Sequence, residues 1–266
     1  MVRFKVYKGS KLLLIAAAAL LAIVVLVLVF TGRSGKDQAA TASAGVATEV
    51  VIPIARDVRL PFRVLIYHTH TNEAYQKTDA DDYVETEEWR TRDPEHSILR
   101  VGSELAELLR GMGIDVVHDT TDHEQDELST AYSRSLSTLE GYEEHFDLYI
   151  DLHRDAYHDG AIQTVPNGTT DCARLMFMIG RGDNYLVKPD FAGNLAAAEY
   201  MTDALNESVP GICQEVLQRE GRYNQHMGRC VLIEIGNNRN TLEEALASLP
   251  VLAEVISDYL NEFLRK

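Results

Sequence analysis

Two mainly apolar segments of the chain each end in a histidine that is close to a carboxylate. His70 and Glu73 follow the segment Arg63–Tyr67, and His153 ends the segment Phe146–Leu152. In open α/β folds, functional residues lie at the carboxyl edge of the sheet, where a buried strand delivers its last residues. Neutral imidazole and carboxylate are the usual ligands of a catalytic zinc, which keeps three protein ligands and one water. The spacing therefore predicts a zinc site.

Glu234 is a further candidate for chemistry because it interrupts the apolar segment Val231–Ile235. A carboxylate in such a segment is costly unless it is paired or used. Partial desolvation raises the pKa of a carboxyl group, which suits a general base that acts on a metal-activated water. The alternative is an edge-strand glutamate that faces solvent, since side chains alternate along a strand. We interpret Glu234 as a general base.

Two neighbours of the candidate histidines bear on this site. His68 alternates with His70, so the two side chains are expected on opposite faces, and only one of them is expected to bind metal. Arg154 and Asp155 follow His153 directly and are expected to orient it, because a ligating imidazole usually donates its other N–H to an acceptor.

Strands and helices alternate from residue 60 onward, which predicts an α/β fold with a mostly parallel sheet flanked by helices. The predicted strands are Val64–Tyr67, Ile114–Val117, Leu148–Leu152, Leu175–Ile179 and Val231–Ile235. The predicted helices are Ile98–Met112, Ser129–Tyr142 and Asn194–Leu205, followed by a long last helix that begins at the capping box Thr241–Glu244 and continues to Leu264. The polar loop after the first strand, which contains Asp79–Asp82 and Arg90–His96, is long enough to suggest a functional role.

The N-terminal part predicts a membrane anchor. Residues 12–30 are uniformly apolar and long enough to cross a bilayer. Four basic residues lie in residues 1–11, so the positive-inside rule places these residues in the cytoplasm and the rest outside. A cleaved signal peptide would have a shorter apolar region, and the nearest Ala-x-Ala is downstream at Ala42–Ala44. Residues 31–59 are expected to be a flexible linker, and residues 60–266 an extracytoplasmic domain.

The composition excludes some classes of protein. The formal net charge of −16 repels phosphate backbones, so no nucleic-acid partner is expected. Three cysteines without close spacing form neither a disulfide framework nor a cysteine-based zinc site. A single bridge between Cys172 and Cys213 stays open at this point.

Six ordered motifs resemble the stage II sporulation protein P family. They are Tyr67–Glu73, Val101–Leu105, Tyr132–Ser135, Asp151–Asp155, Gly221–Gln225 and Leu232–Thr241. The resemblance runs in unbroken order from about Val64 to the C-terminus, and the anchor and linker fit the same layout.

The resemblance implies a fold, an activity and partners. The family is related to zinc-dependent N-acetylmuramoyl-L-alanine amidases of a phosphorylase/hydrolase-like α/β fold. Its members degrade peptidoglycan during engulfment in sporulating bacteria, by cutting stem peptides from glycan and also peptide cross-links. They act with a lytic transglycosylase, the stage II sporulation protein D.

The resemblance also assigns site residues. His70 and His153 match the zinc histidines, and Glu234 matches the catalytic glutamate. The wider amidase group takes its ligand glutamate from near the start of the first helix, where Glu95 stands, whereas Glu73 belongs to the sporulation motif. We favour Glu73. The competing functions are a zinc peptidase of the wall cross-links and a non-enzymatic wall-binding module.

Overall fold

The computed structural model describes residues 61–125, 127–157, 159, 164–182 and 190–263, which belong to a compact unit spanning Val58–Lys266. The predicted cytoplasmic segment, membrane anchor and linker therefore lie outside the described residues. None of the helices in the described ranges is long and apolar enough to span a membrane.

Eight strands occur in the described ranges, and six of them form the main sheet. The strands are β1 (Arg63–Tyr67), β2 (Asp115–His118), β3 (Leu148–Asp155), β4 (Thr164–Asn167), β5 (Thr170–Ala173), β6 (Leu175–Gly180), β7 (Leu217–Arg219) and β8 (Cys230–Asn237). The order in the main sheet is β2-β1-β3-β8-β6-β7, and β4 and β5 form a separate hairpin. All neighbouring pairs in the main sheet are parallel except β6 with β8, so the predicted mostly parallel sheet is confirmed.

Five α-helices, together with a short 3-10 helix at Leu128–Thr130, accompany these strands in the described part of the chain. They are α1 (Ile98–Gly111), α2 (Ala131–Glu140), α3 (Phe191–Ser208), α4 (Leu242–Ala247) and α5 (Leu249–Phe263). Ser97 caps the N-terminus of α1, where its side chain accepts a hydrogen bond from the amide of Leu99.

The two faces of the sheet contribute to two separate apolar clusters. The larger cluster packs α1, α3, α4 and α5 against residues such as Val64 and Ile66. The smaller one packs Leu139 of α2 against Leu65 and Tyr67. Since side chains alternate along a strand, this second face also receives every other residue of β3, including those that end the strand.

The last helix differs from the prediction. The capping box is confirmed, because the Thr241 hydroxyl accepts from the Glu244 amide at 3.2 Å and the Glu244 carboxylate accepts from the Thr241 amide at 3.0 Å. The expected single helix is nevertheless wrong, since α4 ends at Ala247 and α5 begins at Leu249. Pro250 explains the break, because proline has no N–H and its ring clashes with the carbonyl four residues earlier.

The three cysteines are all buried, and none of them is in a disulfide bond. Cys172 and Cys213 are therefore not bonded to each other in this structure. Their burial is consistent with a packing role, in which free cysteine behaves as a small apolar side chain.

Candidate functional site

The carboxyl edge of the sheet brings the predicted site residues together. In the register of β3 with β8, His153 lies directly opposite Glu234. Tyr67, the last residue of β1, lies opposite Asp151 of β3, so the residues after Tyr67 continue beyond the same edge. The ring centroids of His70 and His153 are 5.4 Å apart. Three separate parts of the sequence thus meet at one point.

Glu73, and not Glu95, is the glutamate that lies beside His153. Its Oε2 atom lies 3.4 Å from Nδ1 of His153 and accepts a hydrogen bond from the Arg154 amide at 2.9 Å. Glu95 instead lies on the surface and pairs with Arg100 at 3.4 Å. Of the two glutamates that the sequence offered, the favoured Glu73 is the one that lies beside His153, and its role as a metal ligand stays a prediction.

His153 is held between two buried carboxylates. Its Nε2 atom lies 2.8 Å from Oδ1 of Asp151, on the side opposite to Glu73. Burial disfavours a charged imidazole, but the charges of Asp151 and Glu73 raise the pKa of His153 well above its usual value. Although burial also opposes ionisation of Glu73, the charge of His153 lowers the pKa of Glu73 to about 2. The two carboxylates around His153 therefore favour a positively charged group at this position.

Glu234 has the environment that its sequence context predicts. Its Oε2 atom is buried and accepts no hydrogen bond from any residue in the described ranges. Burial raises the pKa of Glu234 to about 8; His153 counteracts the increase and Glu73 adds to it. A buried carboxyl oxygen without a partner is costly for folding alone, so this atom is a candidate for contact with a ligand.

Glu124 is a site residue that sequence reasoning missed. Its Oε1 atom lies 2.8 Å from Nδ1 of His70, and its Oε2 atom accepts from the Asn72 amide at 2.8 Å. Arg90, from the long polar loop, also donates to this carboxylate. Despite burial, these donors lower the pKa of Glu124. Glu124 lies in a loop whose residue spacing shows no periodicity, so nothing in the sequence marks it.

Asp151 is the second residue that was missed, and a buried polar network fixes it. The amide and hydroxyl of Thr69 donate to its two carboxylate oxygens at 2.8 and 2.7 Å. The Thr69 hydroxyl also contacts the Ser135 hydroxyl of α2 at 3.0 Å. Asp151 alternates with His153 along β3, and this spacing is the signal that could have identified it.

Arg154 has a different role from the one expected. Its guanidinium donates to the backbone carbonyls of Ala74 and Trp89, each at 3.0 Å. It therefore fastens the long polar loop to the end of β3, while Asp151 contacts the His153 ring. Arg154 and Asp155 were expected to orient His153, but the carboxylates that the structure places at the His153 ring are Asp151 and Glu73.

The other histidine of the first motif is engaged elsewhere. Nδ1 of His68 lies 2.8 Å from the carbonyl oxygen of Leu152, and its Nε2 lies 2.8 Å from Nε2 of His118. Both ring nitrogens are thus occupied away from Glu73. This agrees with the prediction that His68 and His70 face opposite sides.

The residues present fit a zinc ion in their chemistry and in part of their geometry. Two donors on one tetrahedral zinc lie about 3.3 Å apart when the bonds are about 2.0–2.2 Å, and Glu73 and His153 meet this distance at 3.4 Å. Each histidine has a carboxylate at its other nitrogen, as is usual for zinc-bound imidazoles. Within the described ranges, no group of three such side chains is already closed into a metal site. The pair Glu73–His153 is preformed, and His70 would have to approach it.

A comparison with known protein families identifies the family to which this chain belongs. The sequence profile of the family described as stage II sporulation protein P matches residues 41–257, which is most of the chain. The chain therefore belongs to the stage II sporulation protein P family. No curated protein sequence matches it.

Solved structures of several amidases are distantly similar. One is the N-acetylmuramoyl-L-alanine amidase from Clostridium difficile 630, at 17% identity and a TM-score of 0.48, covering 78% of this chain and 99% of that one. Another is the CwlD amidase from Clostridioides difficile in complex with the GerS lipoprotein, at 13% identity and a TM-score of 0.49, covering 77% and 98%. A third is the amidase AmiC2 of Nostoc punctiforme, at 15% identity and a TM-score of 0.44, covering 77% and 98%.

Proposed function

We propose that this protein is a zinc-dependent peptidoglycan hydrolase that cleaves the amide between N-acetylmuramic acid and L-alanine. The observation that carries the proposal is the meeting of His70, Glu73 and His153 beside Glu234 at one edge of the sheet. Family membership supports the substrate and the setting, which are septal wall degradation and engulfment during sporulation.

Each residue has a role in the proposed reaction. His70, Glu73 and His153 would hold the zinc ion, which when bound polarises the scissile carbonyl and acidifies water. Glu234 takes a proton from the attacking water and returns it to the departing nitrogen of L-alanine. The positive charge of a bound metal would favour the ionised form of Glu234, which a base requires.

The remaining chain suits an enzyme that works on an immobile polymer. We propose that residues 12–30 anchor the protein in the cell membrane in a single pass and that the domain from residue 60 lies outside. Residues 31–59 would then supply reach, since a flexible chain of this length spans about 30 Å. A lytic transglycosylase resembling stage II sporulation protein D is the partner that we propose, because shorter glycan strands would expose more of the amide bonds.

Metal content tests the ligand set. Purified His70→Ala and His153→Ala proteins are expected to lose the equivalent of zinc that the wild type binds. His145→Ala is a matched control, since His145 is exposed and lies before β3. Retention of one equivalent by both folded ligand variants would contradict the assignment.

Mass spectrometry of digested wall tests the reaction. With zinc and a glycan-cleaving enzyme supplied, intact stem peptides with a free L-alanine amine are expected. Cut cross-links with stems still on sugar would instead identify a zinc peptidase, and no cleavage would identify a wall-binding module.

The Glu234→Gln variant should hydrolyse the wall about 10²–10⁴-fold more slowly than the wild type while it retains zinc, because general base catalysis usually accelerates a reaction by that factor.

A further inference from the structure

Tyr132 lies in the layer of side chains around the candidate ligands. It is in the first turn of α2, and its ring meets the ring of His70 edge-on, with centroids 5.7 Å apart and planes at 88°. His70 is in turn the neighbour of His153. The phenol is therefore part of the site, although the roles assigned above do not use it.

Two sequence motifs meet to hold Tyr132 in place. The Asn224 side chain donates to the Tyr132 carbonyl at 2.9 Å and to the Ser135 hydroxyl at 2.6 Å. The ring of Tyr223 packs edge-on against Tyr132, with centroids 5.5 Å apart. A Cβ atom on Gly180 would lie 2.8 Å from the Tyr223 ring, so this ring is itself closely confined. Tyr132 is thus held both at its backbone and at its ring.

The hydroxyl of Tyr132 has no hydrogen-bond partner among the residues that the structure describes. Tyr132 is partly buried, so its ring is packed while its hydroxyl stays accessible to a ligand. A tyrosine phenol carries its proton at neutral pH and is a hydrogen-bond donor, so this hydroxyl is available to a bound substrate.

We propose that the Tyr132 hydroxyl donates a hydrogen bond to the carbonyl oxygen of the scissile amide and is a catalytic residue. This inference rests on the proposed amidase function. The carboxylates around the site repel an oxygen that gains negative charge, so a hydrogen-bond donor beside that oxygen would add to the polarisation that a bound zinc supplies. Tyr132 is the residue whose phenol contacts the ligand His70 and whose donor is not otherwise used.

The bond changes are those of amide hydrolysis. The oxygen of water bonds to the carbonyl carbon, the C=O π pair moves to the carbonyl oxygen, and Glu234 takes the proton of the water. Tyr132 stabilises the oxyanion by donating its hydrogen bond without transferring its proton. When the electron pair returns, the C–N bond breaks and the nitrogen takes the proton from Glu234.

The test compares two changes that each remove one hydroxyl. Tyr132→Phe keeps the ring against His70, and Tyr223→Phe makes the same change in the adjacent ring. Full-length zinc-loaded protein in detergent is assayed on solubilised peptidoglycan for kcat and KM. Zinc affinity and the affinity for a phosphonate analogue of the muramoyl–L-alanine bond are measured as well.

Tyr132→Phe is expected to lower kcat by about 10²–10³-fold, the usual effect of removing one oxyanion donor. Its affinity for the phosphonate should fall in parallel, while zinc affinity, KM and the Tyr223→Phe protein stay near wild type. If the wild type is active and the Tyr132→Phe variant is equally active, this inference alone is overturned. The same holds if the variant loses zinc affinity in parallel with kcat. A zinc-loaded wild type that frees no L-alanine amine overturns the amidase proposal and this one with it.

Discussion

At the scale of single residues, two carboxylates decide which nitrogen each histidine presents. Glu124 accepts at Nδ1 of His70, which fixes the proton there and leaves Nε2 for a metal. Asp151 contacts the Nε2 side of His153, which leaves Nδ1 directed to Glu73. The two imidazoles are therefore oriented through opposite nitrogens, although both are candidate ligands of one ion.

Glu124→Gln tests this orientation. Loss of the negative charge should weaken zinc binding by about 10–100-fold, the usual effect of changing the partner of a ligating histidine. Calorimetric titration of the metal-free protein measures the affinity. Glu127→Gln makes the same change at a nearby exposed position and should bind zinc like the wild type. Equal affinities in both variants would mean that Glu124 does not orient His70.

The predictability of the site follows from where its residues stand. The four residues His70, Glu73, His153 and Glu234 were predictable because each lies in or just after a strand, and parallel strands meet at one edge. Glu124 was not predictable, because it lies in a loop, and residue spacing in a loop does not show which residues come into contact. The sporulation motif already favoured Glu73 over Glu95, and the course of the loop before α1 shows which of the two lies beside His153.

At the scale of elements, α1 packs against β1 and β2 through a glycine. A Cβ atom on Gly102 would lie 2.5 Å from Nε2 of His118 and 2.6 Å from Nε2 of His68. His68 is fully buried and held by the Leu152 carbonyl. Gly102 is therefore present because the helix must approach these two rings closely.

Gly102→Ala should destabilise the protein by about 1–3 kcal/mol, the usual cost of overpacking a core. This loss occurs even though alanine is the better helix former by up to about 1 kcal/mol. Gly111→Ala is the matched control, because Gly111 lies in the same helix and has no atom within 4 Å of an added Cβ. Urea unfolding measures the free energy of unfolding of both variants, and the change caused by Gly102→Ala should be opposite or unequal to the change caused by Gly111→Ala. A stabilised Gly102→Ala protein would contradict the close approach.

The elements themselves were largely predictable from apolar periodicity, with informative exceptions. The strand β7 has three residues, Leu217–Arg219, which is too short for alternation to be recognised. The hairpin of β4 and β5 has a two-residue turn at Gly168–Thr169, but its strands carry few apolar residues. The long last helix was overextended because its apolar spacing continues across Pro250.

At the scale of the whole molecule, the pair His68–His118 links stability to pH. Burial is the main cause that lowers the pKa of His68 to about 3 and of His118 to about 4. In the unfolded chain both titrate near 6.5. Below pH 6.5 the unfolded state therefore binds more protons than the folded state. As a result, the free energy of unfolding that the two neutral rings contribute is complete above pH 6.5 and is lost as the pH falls toward 3.

Unfolding in urea between pH 7.5 and 4.5, with chelator present, measures this linkage. Each such histidine adds at most about 1.4 kcal/mol of lost stability per pH unit in this range. His118→Gln should show a shallower decline than the wild type, because one of the two titrating groups is removed. His145→Gln changes an exposed histidine and should retain the wild-type decline. Identical slopes for all three proteins would contradict the assignment.

The central position of β8 has a consequence for when activity can appear. β8 lies between β3 and β6 and carries Glu234, yet it is the last strand of the described chain. Contacts across such long sequence separations form slowly, so the edges of β3 and β6 that face β8 stay unpaired until β8 docks. A chain in which β8 has not yet docked does not hold Glu234 opposite His153. Under the proposed function, an incompletely folded chain would therefore lack its general base, and hydrolytic activity would appear only with this late step of folding.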